Sequence, residues 1–311
     1  MSRRRKGEKV DGWLVIDKPA GCTSTAVVNR VKRLLKAAKA GHAGTLDPIA
    51  TGVLPIALGE ATKTVAHAVA GTKRYRFTVC WGEQRATDDI EGEVTAVSDK
   101  RPTEAEILAV LPRFLGSIGQ VPPAYSAIKV AGHRSYELAR AGEVPELASR
   151  EVRIDRFELI ELPDGDHAIF EVTSGKGAYM RGLARDMALA LGTYGHIASL
   201  RRLAVGCFDE ARAISLDKLE SLGHIAAALE HLLPVETALD DIPALALTEI
   251  EAKLIKSGRP VQVLRTADKA LIDGMAEGEV VCATTGGRPV ALTRIGHTPV
   301  LQLHPVRVLN V

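Results

Sequence analysis

Residues 12–17 hold a short, nearly continuous apolar run, Trp13, Leu14, Val15 and Ile16, of the length expected for a buried strand. Lys18-Pro-Ala-Gly21 ends it, because Pro and Gly punctuate local structure. Beyond that break Val27, Val28, Val31, Leu34, Leu35 and Ala38 recur with helical spacing. The pattern predicts a helix capped by Ser24 or Thr25 and running to about Lys39. Residues 41–60 form a Gly- and Pro-rich stretch around a short apolar run, and Lys73 to Cys80 alternates as a strand. The segment from Gly82 to Glu93, with Asp88, Asp89 and Gly92, reads as an exposed connection.

Further along, a helix is expected near Glu104 to Leu111, followed by irregular chain around Pro122 and Pro123. Val152 to Leu162 and Ala168 to Ser174 read as paired strands, and Arg181 to Leu191 as a helix closed by Gly192. After Pro234 the character changes to short strands with glycine turns, at 278–283, 289–295 and 300–311. A domain boundary is therefore placed near 235–245, and residues 1–10 read as a basic arm.

Composition adds bounds. With 46% apolar and 25% charged residues, the 311-residue chain can bury a sizeable core. A net charge of +2 and a pI near 8.3 fall short of the overall basicity of many nucleic-acid binders, so any such argument must be local. Cys22, Cys80, Cys207 and Cys282 are scattered without C-x-x-C or zinc spacing, which points to reduced thiols and no metal. Neither a secretory apolar segment nor a membrane-spanning run is evident, so a soluble, cytoplasmic protein is expected.

Local charge is informative between Lys18 and Gly59. Lys18, Arg30, Lys32, Arg33, Lys36 and Lys39 stand there with a single acidic residue, Asp47. The helix would turn a basic flank to solvent, able to meet phosphates or simply to be solvated. From spacing alone Asp47 followed by Pro48 reads first as a helix start, a cap that can also present its carboxylate. The glycines of Gly175-Lys-Gly177 could admit a phosphate, but neither Walker A nor G-x-G-x-x-G spacing is present. A nucleotide cofactor is unsupported.

Taken jointly, the motifs carry more. Gly41-His-Ala-Gly-Thr-Leu-Asp-Pro-Ile-Ala-Thr-Gly-Val-Leu-Pro55 resembles the catalytic motif of the TruB family of tRNA pseudouridine synthases. Asp17-Lys-Pro-Ala-Gly21, Gly59-Glu-Ala-Thr-Lys63, Lys73-Arg-Tyr75, the block from Gln120 to Lys129, Gly175 to Arg181 and Leu200-Arg-Arg202 follow in the family's order. Ala178 and Met180 depart from the Thr and the Ile or Val usual there.

The resemblance implies a mixed α+β fold: a catalytic domain over 11–240 with a central, largely antiparallel sheet flanked by helices, then a small β-rich, PUA-like RNA-binding domain over 241–311. It implies isomerisation of the uridine at position 55 in the TΨC loop of tRNA, without a cofactor, by a monomer needing no protein partner or membrane. Asp47 would be the catalytic carboxylate, Arg181 its partner, and Tyr75 a ring against the uracil that helps remove the C5 proton. His42, Leu200, Tyr179 and Lys18 would complete the substrate site, Lys18 by supporting the catalytic loop. An RNA chaperone or ribonucleoprotein subunit on the same scaffold is the alternative. A metal-dependent nuclease would need clustered carboxylates, and Asp88-Asp89 reads as a solvated turn.

Overall fold

The computed structural model describes residues 7–126, 128–130, 132–143, 146–223, 225–263, 272, 274–297 and 300–311. Most of the expected basic arm, residues 1–6, lies outside them, as does Ala127 in the Gln120–Lys129 block. Glu8 is tied down: its N–H donates to the Lys36 carbonyl at 2.7 Å, and its carbonyl accepts from Ala38 N–H at 3.0 Å.

The apolar run becomes strand β1 (Gly12–Lys18), and helix α1 follows (Ser24–Leu34). Its cap is Thr23 rather than Ser24 or Thr25: the Thr23 hydroxyl accepts from Ala26 N–H at 3.1 Å. The Ser24 hydroxyl is engaged elsewhere, accepting from Leu46 N–H at 2.8 Å and donating to the Leu46 carbonyl at 3.1 Å. The helix ends five residues short of the expected Lys39, because Lys36 turns to φ 49° and the next residues pair with Glu8. Strands β2 (Ala40–His42) and β3 (Thr51–Leu58) then enclose the loop that carries Asp47.

The remaining strands used below are β4 (Lys73–Trp81), β5 (Gly116–Gln120), β6 (Arg150–Glu161), β7 (His167–Ser174) and β8 (Gly195–Val205). With Ile214–Ser215 at one edge they order as Ile214–Ser215, β1, β3, β8, β4, β7, β6, β5. The β3–β8 contact and the edge pair are parallel, and the other pairs along this path are antiparallel. The expected pair of strands at 152–174 is β6 with β7. Helices α2 (Glu104–Val110) and α3 (Met180–Ala190) match the two expected there. The large core joins β1, α1, β3, β4, β7 and α3 through Ile16, Val27, Leu54, Phe77, Phe170 and Leu183, all almost fully buried.

The C-terminal region forms a separate five-stranded sheet. Its strands are β9 (Ala244–Ala246), β10 (Val261–Gln262), β11 (Val280–Thr285), β12 (Arg288–Gly296) and β13 (Gln302–Val308), ordered β9-β11-β12-β13-β10. It has its own core around Leu245, Ile255, Val281, Ala291 and Leu303. A helix, α4 (Glu249–Lys256), also packs there and was not expected from the strand-like spacing; Thr248 and Glu251 close its start as a capping box. The fold is thus mixed α+β, with a central, largely antiparallel sheet and a small β-rich C-terminal sheet. Among the described residues no helix is long and apolar enough to cross a membrane.

Candidate active site

Asp47 does not start a helix. Residues 47–50 make a turn, with Ala50 N–H donating to the Asp47 carbonyl at 3.1 Å, and β3 begins at Thr51. Two anchors hold the loop from the α1 side. One is the Ser24–Leu46 pair of hydrogen bonds. The other is Lys18, fully buried, whose Nζ donates to the carbonyls of Pro19 and Cys22 at 2.8 Å and of Pro48 at 3.2 Å. Lys18 therefore faces protein rather than open solvent. Burial lowers its pKa, while Cys22 and Asp47 pull it back up.

Opposite stands Arg181, buried in the first turn of α3. Its Nε lies 2.9 Å from Asp47 Oδ2, and its Nη1 lies 3.4 Å from Asp89 Oδ2. Nη1 and Nη2 also donate to the carbonyls of Thr87 at 2.8 Å and Tyr125 at 3.0 Å. The guanidinium is thus held by two hydrogen bonds and two ion contacts, its Nε meeting Asp47 as a close ion contact rather than an aligned hydrogen bond. The Asp47 side chain remains 32% exposed against 4% for Arg181, so the carboxylate is paired yet open to a ligand.

The Asp88-Asp89 segment corrects the reading of an exposed, solvated turn: both residues are buried. Arg185, one helical turn after Arg181, reaches Asp88 Oδ2 at 2.8 Å, while Asp89 accepts from Thr87 Oγ1 at 2.5 Å and from Glu91 N–H at 3.1 Å. Burial pushes the Asp88 carboxyl up to about 6, against the pull of Arg185 and Arg181. The i, i+4 arginines of α3 meet two adjacent carboxylates about 90 positions away, a pairing that no local spacing announces.

The rest of the expected set gathers round this pair unevenly. Tyr75 on β4 stands opposite Arg202 on β8, and Leu200 opposite Phe77, so these four share one face of the sheet. Arg202 is completely buried and its charge acts on both Tyr75 and Asp47. His42 on β2 is half-buried; burial and the Arg202 charge lower its pKa, and among the described residues its Nδ1 has no hydrogen-bond partner. Tyr179, immediately before α3, is fixed through its backbone: its N–H donates to Gln120 Oε1 at 2.9 Å, and its carbonyl accepts from Gln120 Nε2 at 3.0 Å. Burial raises its phenol pKa. The expected roles left out Asp88, Asp89, Arg185 and Arg202.

The model of the TruB family pseudouridylate synthase N-terminal domain matches residues 32–180, and that of the tRNA pseudouridylate synthase B C-terminal domain matches residues 181–240. The tRNA pseudouridine synthase B of Rhodospirillum rubrum is 55% identical over 310 residues, covering 100% of both chains. That of Caulobacter vibrioides is 50% identical over 311 residues, covering 100% of this chain and 99% of its own. Among solved structures, a chain of a Cbf5-Nop10-Gar1 complex superimposes with a TM-score of 0.73 at 26% identity, covering 96% of this chain and 84% of that one.

Proposed function

The chain belongs to the TruB family of pseudouridylate synthases, and from that premise we propose that it isomerises the uridine at position 55 in the TΨC loop of tRNA through Asp47. The reaction breaks the N1–C1′ bond, turns the uracil and forms C5–C1′; the C5 proton leaves and N1 ends protonated. Electrons balance within the nucleoside, so the chemistry itself calls for no hydride carrier and no nucleotide. What it needs is a carboxylate that stays ionised inside a pocket, able to capture or support positive character at C1′.

The observation that carries this reading is the contact of Arg181 with a partly open Asp47. A guanidinium in contact with a carboxylate favours a set orientation of it. Tyr75 supplies a ring to stack on the extruded uracil and a hydroxyl for the C5 proton. Leu200, His42 and Tyr179 line the space around the base, and Lys18 acts by holding the Asp47 loop. Extruding a stacked uridine costs a few kcal/mol, which contacts with the T-arm backbone offset.

Those contacts fall to α1 and to the C-terminal region. Arg30 is taken by a bidentate pair with Glu220, at 2.8 and 2.7 Å. Lys32, Arg33 and Lys36 are exposed and, with Asn29, line a shallow groove beside Gly7 and Glu8. Residues 11–240 form the catalytic domain in this reading and 241–311 a PUA-like RNA-binding domain, working in the cytoplasm as a monomer without a protein partner. Support for the division comes from the separate C-terminal sheet and core.

The test is tritium release from C5-labelled uridine in a tRNA transcript, with wild type beside Asp47→Asn. Release is expected from wild type alone, with tRNA binding retained by the variant. Equal release from both removes Asp47 from the chemistry. No release from either, with binding intact, favours an RNA-binding protein on the same scaffold.

A further inference from the structure

Three parts of the chain far apart in sequence meet at Arg202. The guanidinium is completely buried, and each of its nitrogens donates to a main-chain carbonyl: Nε to Val53 at 2.8 Å, Nη1 to Thr45 at 3.3 Å, and Nη2 to Gly44 at 3.0 Å. Gly44 and Thr45 precede Asp47 in the loop, and Val53 follows it on β3. One planar fork therefore spans the catalytic loop from its start to the strand beyond.

The glycines of the Asp47 motif fit the same unit. Gly44 sits at φ +91° and Gly52 at φ +97°. A Cβ on Gly44 would stand 3.3 Å from Arg202 Nη1, and a Cβ on Gly52 would stand 2.2 Å from the Arg202 carbonyl oxygen. Register completes the picture: Arg202 pairs with Gly52 on β3 and with Tyr75 on β4. The residue lies between the loop that bears the carboxylate and the strand that bears the phenol.

A guanidinium sunk among carbonyls is a costly way to fill space, since desolvation opposes it and apolar residues pack such a volume more cheaply. Stability alone is thus a poor account of it. A rigid fork of donors, however, sets the positions of several acceptors at once, as a flexible ammonium cannot.

We propose that Arg202 is a positioning residue for the isomerisation: it templates the Asp47 loop and holds that loop in fixed register with Tyr75, so that carboxylate and phenol address one nucleoside. The inference rests on the synthase reading above. In this role Arg202 acts through the main chain of the Asp47 loop and through its side-chain hydrogen bond to Tyr75, without contacting the substrate. Its effect is on the rate of chemistry, with little on the grip on RNA.

The experiment measures single-turnover tritium release by the full chain on a C5-labelled tRNA transcript, with enzyme saturating, for wild type, Arg202→Lys and Gly44→Ala. Under these conditions the rate constant does not depend on the fraction of enzyme folded, so a merely structural defect leaves it unmoved. For Arg202→Lys we expect a fall of about 100-fold, the scale of a roughly 1 Å misplacement, with tRNA affinity within about threefold of wild type. Gly44→Ala keeps the guanidinium but crowds Nη1, and is expected to slow the same step with affinity retained. A wild-type rate constant in either variant overturns the inference, as does a parallel loss of rate and affinity, which would make Arg202 a substrate-binding group. No release from wild type overturns the synthase reading and this inference together, whereas release by wild type with an equally fast Arg202→Lys overturns this inference alone.

Discussion

Asp88 and Asp89 are adjacent, equally acidic in sequence and both buried, yet their surroundings differ. Asp89 has the Thr87 hydroxyl, Glu91 N–H and the edge of Arg181, while Asp88, at φ 59°, depends chiefly on Arg185. Burial outweighs that partner and raises the Asp88 carboxyl from 3.8 to about 6. A carboxyl raised on folding holds its proton longer in the native state, so stability falls as pH climbs from 3.8 to about 6 and is level above that. Asp88→Asn does not titrate. The unfolding free energy of wild type relative to this variant should drop by up to about 3 kcal/mol across that window, since a tenfold change in proton affinity is worth about 1.4 kcal/mol. Urea unfolding at stepped pH measures it, and parallel curves for the two proteins would show Asp88 ionised throughout. Asp47, Arg181 and Tyr75 could be picked out beforehand because each lies in a recognisable motif. Asp88 could not, because its burial depends on an arginine 97 positions away.

Among the elements, local signals set type better than limits. The period of α1 was plain, but its cap passed to Thr23 because the Ser24 hydroxyl is occupied by Leu46, and its end was cut by the Glu8 pairing. Helix α4 buries only Ala252 and Ile255, too narrow a stripe to stand out among neighbouring strands. At the junction of β3 with β8, Gly52 has no room for a side chain. Gly52→Ala combines a left-handed backbone with an overlap against main chain, and should cost at least about 3 kcal/mol of stability. Chemical denaturation gives the figure, and a loss below about 1 kcal/mol would mean that the two strands part there without strain.

For the whole molecule, a net charge of +2 conceals an uneven surface. Lys18 and Arg202 are buried and Arg30 is paired, which leaves Lys32, Arg33 and Lys36 exposed at the end of α1. Cations there also complement the helix dipole, an alternative worth about 0.3–1 kcal/mol of stability. Salt dependence separates the two roles. Replacing all three by Ala should weaken tRNA binding and flatten the slope of log affinity against log salt by roughly 2, because each phosphate neutralised by a cation adds about 0.7–0.9 to that slope. An unchanged slope, with only the melting temperature lowered, would leave the dipole role alone. The C-terminal sheet is joined to the segment after β3 by Lys63 Nζ donating to the Val308 carbonyl at 2.8 Å and by Asn310 N–H donating to Glu60 at 2.8 Å.

From sequence alone came the alternation of strand and helix, the mixed fold, the family and the identity of the lone carboxylate in its basic stretch, because period and motif are properties of neighbouring residues. Which charges leave water, and what they then hold, was decided by tertiary structure. The order β3-β8-β4 sets Gly52, Arg202 and Tyr75 side by side, and the packing of α3 brings Arg181 and Arg185 onto Asp47, Asp88 and Asp89. Strand order and helix docking are settled by burial of whole apolar faces, so a polar partner on the far side of the sheet leaves no trace in the spacing around either residue.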